Sequence, residues 1–120
     1  MSILVTPDKS LQSIQQEFHA KFPYLKIEFF RKKHEKEAAS PRSAMLPVKQ
    51  SLREAGGIEG NEEMSIDGHL KVSNFEAHFQ DHYGIGIQVF RKSGKVWLLT
   101  TATDGWTLSQ ENREGKEDSA

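Results

Sequence analysis

Cysteine is absent from this 120-residue chain, which removes disulfides, cysteine-based zinc sites and thiol chemistry together. Net charge is nearly absent as well, −1 at pH 7. A domain that binds nucleic acid through a generally basic surface carries an excess of Lys and Arg, so overall charge argues against that class. No apolar run approaches the roughly 20 residues that cross a bilayer, and no membrane role is expected. The opening MSILVTPDKS has neither the charged nor the apolar region of a secretory signal. Ser2 after Met1 and the closing EDSA carry no lipidation motif. The expectation is a cytoplasmic protein of bacterial type. Hydrophobic residues are 36% and charged residues 28%, polar enough to predict some unfolded chain beside a single core.

Ordered elements are legible along the chain. Ile3 to Thr6 is a β-branched run that reads as a strand. Thr6, Asp8 and Ser10 are candidate helix N-caps, with Pro7 suited to a first turn. Leu11, Ile14, Phe18 and Phe22 then recur at helical spacing until Pro23 stops the pattern. Lys26 to Phe30 alternates, with Ile27 and Phe29 on one face, and predicts a strand. Residues 31–62 are charged and aperiodic and read as a mobile insertion, with a short helix near 46–55. Met64 to Asp67 is a second short strand. SNFE from Ser73 to Glu76 has the capping-box pattern, and Phe75, Phe79 and Tyr83 continue a helical stripe to Gly84. Ile85 to Arg91 and Lys95 to Thr101 form a hairpin across Ser93-Gly94. Thr107 with Gln110 opens a short polar helix that ends at Gly115.

Two stretches superpose. Val5 falls on Ile66, Leu11 on Val72, Ile14 on Phe75, Phe18 on Phe79 and Phe22 on Tyr83 at one constant offset. After a one-residue gap, Ile27 falls on Ile87, Phe29 on Val89 and Phe30-Arg31-Lys32 on Phe90-Arg91-Lys92. Two βαβ units in series predict an α+β domain over residues 1–115 with a disordered tail at 116–120. The architecture expected is a ferredoxin-like split βαβ duplication, with strands 3–6 and 64–67 innermost and an added C-terminal hairpin strand and short helix. A β-grasp-like sheet is the alternative.

The strand phases direct Ile27, Phe29, Ile87 and Val89 toward the helices, and Phe30 and Phe90 away from them. A two-residue Ser93-Gly94 turn sets Phe90 opposite Trp97, whereas a three-residue turn shifts the register by one. Phe30, Phe90, Trp97 and Leu99 then make an apolar patch on the open sheet face. Such a patch is either covered by Trp106 and the C-terminal segment or offered to a partner. Phe30, Phe90, Trp97 and Trp106 are therefore the candidate binding residues.

Chemical constellations are sparse. His78 and His82 stand four apart on a helix, at metal-ligand spacing, but no third ligand follows. Their equivalents Glu17 and Lys21 make an ordinary i,i+4 charge pair, so no metal is assigned. His19, His34 and His69 have no nucleophile to pair with. No serine lies in a nucleophile-elbow pattern, and Gly84-Ile85-Gly86 lacks the remainder of a dinucleotide loop. No catalytic residue and no cofactor are assigned. The basic stretch Arg31, Lys32, Lys33, His34 and Lys36 follows Phe29 and Phe30, a combination that suits single-stranded nucleic acid. The strands ILVT and EMSID, central in this architecture, carry none of the aromatics an RNA-recognition sheet uses.

The C-terminal VFRKSGKVWLLTTATDGWTLSQENREG and the opening LQSIQQEFHAKFPYLKIEFF together resemble a family of small uncharacterised bacterial proteins. That family shares VFRKSG, WL, TT, TD and WTL followed by Gln, Asn and Gly. The likeness is weakest across 31–62. It implies no activity, cofactor or site residue. It does imply that Trp97, Thr100, Asp104, Trp106 and Asn112 belong to one structural unit. Three functional readings follow. The first is a non-enzymatic interaction module that meets a protein partner or a second copy through the open sheet face or the edge of strand 95–101. The others are a nucleic-acid accessory protein working through 31–43, and an enzyme or metal protein around His78 and His82.

Overall fold

The computed structural model describes residues 3–31, 45–56 and 63–119. Most of the expected insertion, including the basic residues after Arg31, lies outside the described residues. The chain is α+β. Strand β1 (Ile3–Val5) leads to helix α1 (Leu11–Lys21) and strand β2 (Leu25–Phe30). A short helix α2 (Leu52–Gly56) precedes β3 (Met64–Ile66), α3 (Val72–Tyr83) and the hairpin β4 (Gly86–Ser93) and β5 (Val96–Leu99). A 3-10 turn over Thr101–Thr103 leads into α4 (Leu108–Asp118). Among the described residues, no helix is long and apolar enough to cross a membrane.

Helix α1 starts where Ser10 accepts the Ser13 N–H at 3.0 Å. Its stripe Leu11, Ile14 and Phe18 is wholly buried. Helix α3 does not use the Ser73 capping box. Its first amides, Val72 N–H and Ser73 N–H, donate to the carbonyls of Trp106 (2.9 Å) and Asp104 (2.7 Å), so two of the orphan donors of the first turn are already satisfied. Glu76 is thereby released, and its carboxylate accepts the Val89 N–H at 3.1 Å. Gly84 ends the helix in the left-handed region, φ 73°.

The strands lie in two sheets. β1 pairs antiparallel with β3, as expected, and the other sheet has the order β2-β4-β5. Both architectures expected from sequence put all strands into one sheet, whereas here the two short strands stand apart. Between the sheets lies one core in which Phe18 meets Phe75 at 5.8 Å and Phe29 meets Phe79 at 5.6 Å between ring centroids.

The strand pairing follows the offset between the two stretches. In the first sheet Leu4 faces Ser65, its own equivalent, and the flanking pairs Ile3–Ile66 and Val5–Met64 exchange under the same offset. In the second sheet Glu28 faces its equivalent Gln88, flanked by Ile27–Val89 and Phe29–Ile87. A pseudo-two-fold axis therefore passes through both sheets, and the two βαβ units are arranged like the halves of a symmetric dimer.

The repeat also extends beyond β2 and β4. Leu11 N–H donates to Gln50 O, and its equivalent Val72 donates to Trp106 O. Leu52 N–H donates to Lys9 O as Leu108 donates to Leu70 O, and Arg53 to Pro7 as Ser109 to Gly68. Ser51 and Glu54 form a capping box matching that of Thr107 and Gln110. Leu52 and Leu108 are both fully buried. Residues 45–56, read from sequence as part of an insertion, are thus the counterpart of the C-terminal segment.

Two further expectations change. The hairpin pairs Ser93 with Val96, so its turn is Gly94-Lys95, because the positive φ at the first turn position falls to Gly94 (φ 61°) rather than Ser93. Phe90 therefore faces Leu99, and Trp97 faces Lys92. Helix α4 does not stop at Gly115 but runs on to Asp118, into the tail expected to be disordered. Gly115 is required by proximity: a Cβ there would lie 2.8 Å from Tyr24 Cβ and 3.1 Å from Arg91 Cγ.

Candidate functional site

Neighbouring residues of a strand point to opposite faces, and this separates the four candidate binding residues. Phe90 and Trp97 share the sheet face turned away from the core. Lys26 faces Phe90 across the β2–β4 ladder and holds its ammonium 5.2 Å from the Phe90 ring and 5.3 Å from the Trp97 ring. His19 approaches Trp97 edge-on at 6.1 Å. Phe30 lies at the other end of β2, opposite Gly86, and is buried. Trp106 belongs to the opposite face, where it packs on the Arg91 guanidinium at 5.8 Å. The C-terminal segment therefore does not fold over Phe90 and Trp97.

Arg91 anchors that segment instead. Its Nη1 donates to Glu111 Oε1 at 2.8 Å, and Asp118 lies 3.8 Å from Nη2. The other Glu111 oxygen accepts the Thr103 hydroxyl at 2.7 Å. Glu111 is wholly buried, and burial raises its carboxyl pKa above the ordinary value against the opposing pull of Thr103 and Arg91.

The two outer edges of the larger sheet differ. Along β2 the outward carbonyls are all taken: Leu25 O by the His19 ring at 2.8 Å, Ile27 O by Gln15 at 2.9 Å, and Phe29 O by Leu46 N–H at 2.8 Å. Along β5, among the described residues, no hydrogen bond is made beyond the ladder to β4. This edge is apolar, with Val96 56%, Leu98 42% and Leu99 42% exposed. Long apolar edges are commonly blocked by charge, proline or a covering element, and VWLL has none of these within it. Cations surround it: Lys26 and Lys92 on the Trp97 face and Lys95 in the turn. None of the three takes part in an ion pair among the described residues.

His78 and His82 do come together, with ring centroids 4.1 Å apart on the exposed side of α3. Among the described residues no group of three metal-binding side chains exists. Glu17, the first-unit equivalent of His78, is held by Lys9, Nζ to carboxylate 2.8 Å. Sequence reasoning did not find Lys26. Its signal was available only through the β2–β4 register, which sets it opposite Phe90. No family model, no curated protein and no solved structure matches the chain.

Proposed function

We propose that the protein is an interaction module that receives an extended segment of a partner protein as an added strand along β5. The observation that carries this reading is the apolar edge Val96–Leu99, which makes no hydrogen bond beyond its ladder among the described residues, in a sheet whose other edge has its outward carbonyls taken. A strand laid beside β5 satisfies its free backbone groups, while alternate side chains meet two different surfaces. One surface is Trp97 and Leu99 with Lys92 and Lys26. The other is Val96 and Leu98. The complementary occupant is an alternating segment with acidic residues toward the lysines and apolar residues toward Val96 and Leu98. Charge favours this over a second copy of the chain, which would bring a second set of the same lysines to the edge.

The test is a titration of the full chain, followed by amide NMR, with a short capped peptide of alternating Glu and Val and with its Lys-Val counterpart. The expected outcome is saturable shifts over Val96–Leu99 with the acidic peptide and none with the basic one. Leu98→Lys should abolish them. Sedimentation as a β5-linked dimer, or equal response to both peptides, would reject this occupant.

A further inference from the structure

The duplicated framework makes two equivalent junctions, each between the C-terminus of one unit's helix and the turn and tail of the other unit. At the first, α3 ends at Gly84 against α2, and the carbonyl of Gly56 lies 3.5 Å from the place of a Gly84 Cβ. That junction carries an exposed ion pair, Arg53 Nε to Asp8 at 3.3 Å. At the second, the equivalents of Asp8 and Arg53 are His69 and Ser109, so the ion pair has no counterpart. What stands there is an open cleft of about 510 Å³ between the end of α1, the turn at 67–69 and α4. Its volume is in the range of small-molecule sites.

We infer that this cleft binds a small phosphorylated ligand. Lys21 reaches it from α1, His69 from the turn, and Arg113 and Lys116 from one side of α4, with Asn112 and the Ser109 hydroxyl between them. Arg113 and Lys116 make no ion pair among the described residues. The one carboxylate in the lining, Asp67, accepts the backbone N–H of His69 at 2.8 Å. Basic groups from three separate elements thus converge in a chain whose net charge is −1, which concentrates positive potential at one concavity. The planar Arg113 fork suits phosphate oxygens, Lys116 supplies a point charge, and Ser109 and Asn112 supply neutral donors. The floor is firm. Gly68 and Ser109 are packed so closely that any Cβ at Gly68 would overlap the Ser109 hydroxyl, and Asn112 Oδ1 is fixed by the Tyr24 N–H at 2.9 Å. This site shares no residue with β5 and stands independently of the docking role proposed for that edge.

The experiment is an amide NMR titration of the full chain with inorganic pyrophosphate at constant ionic strength. A single-stranded oligonucleotide is run in parallel, and the titrations are repeated on Arg113→Gln/Lys116→Gln. Both substituted side chains are exposed, so folding is retained. Expected are saturable shifts centred on His69, Ser109, Asn112 and Lys116, and affinity at least about tenfold weaker in the double variant. Three results would overturn the site: no shift at about 20 mM pyrophosphate, equal shifts at Lys26, Lys92 and Lys95, or unchanged affinity in the double variant. Tighter binding of the oligonucleotide than of pyrophosphate would overturn the small-molecule ligand.

Discussion

The two units of the chain, residues 3–56 and 64–119, share a framework and differ in what is attached to it. Both place a strand and a helix on either side of a pseudo-two-fold axis, and both anchor a following segment through a buried leucine under a capping box. In the first unit that segment is short, and α2 ends at Gly56. In the second it grows into α4, held by Arg91 and Glu111. The equivalents of these two, Arg31 and Ala55, form no such pair; Arg31 is exposed. The outward carbonyls of the sheet edge are taken on the first unit, whereas on the second the edge makes no hydrogen bond beyond its ladder among the described residues. The helix–turn junction carries the exposed Asp8–Arg53 pair on one side and a cleft on the other. Positions where the copies agree serve the fold. Positions where they diverge hold both proposed binding features.

Substitutions at equivalent positions break or sharpen this comparison. Leu52→Ala and Leu108→Ala remove fully buried side chains that play matching roles. Each should cost about 2–5 kcal/mol in chemical denaturation, and a cost near zero at Leu52 would end the claim that 45–56 is the counterpart of the tail. Gly115→Ala has no match in the first unit. Its methyl would meet Tyr24 at 2.8 Å, and the expected loss is about 1–3 kcal/mol. If Gly115 were an uncrowded position within α4, the same substitution would stabilise by about 1 kcal/mol. Ser51→Ala and Thr107→Ala each delete one side of a capping box and should cost about 1 kcal/mol apiece in the same assay.

The smallest effect concerns pH. A carboxyl whose folded-state pKa is raised stabilises the fold fully below its unfolded-state pKa, and that contribution is lost as pH rises through the folded value. Stability measured upward from about pH 4, in the ordinary carboxyl range, should therefore fall through a step that Glu111→Gln removes. A difference between the two proteins that is flat with pH would show Glu111 to be unperturbed.

The helices and most strands were legible because their apolar residues keep a period: Leu11, Ile14 and Phe18 on α1, and Phe75, Phe79 and Tyr83 on α3. The repeat was legible to Phe30 and Phe90 for the same reason. Beyond them the copies keep only a buried leucine and two capping side chains. The contacts that make them equivalent run through backbone amides, such as Leu52 N–H to Lys9 O, which leave no mark on residue type. Helix periodicity cannot reveal how strands pair, so the division into two sheets was out of reach. The face on which Trp106 packs was out of reach, because hydropathy says that a tryptophan needs cover but not that a guanidinium supplies it. Of the candidate binding residues, Phe90 and Trp97 form one surface. Lys26 and the β5 edge could be recognised only once the register was known.

The most direct test of the central claim is amide hydrogen exchange on the full chain with and without the Glu-Val peptide. The free protein should exchange quickly along the outer edge of β5, and the peptide should slow exchange within Val96–Leu99 alone. Protection of β5 in the free monomer, or peptide-induced protection along β2 and Met45–Leu46, would contradict the assignment of docking to the second unit.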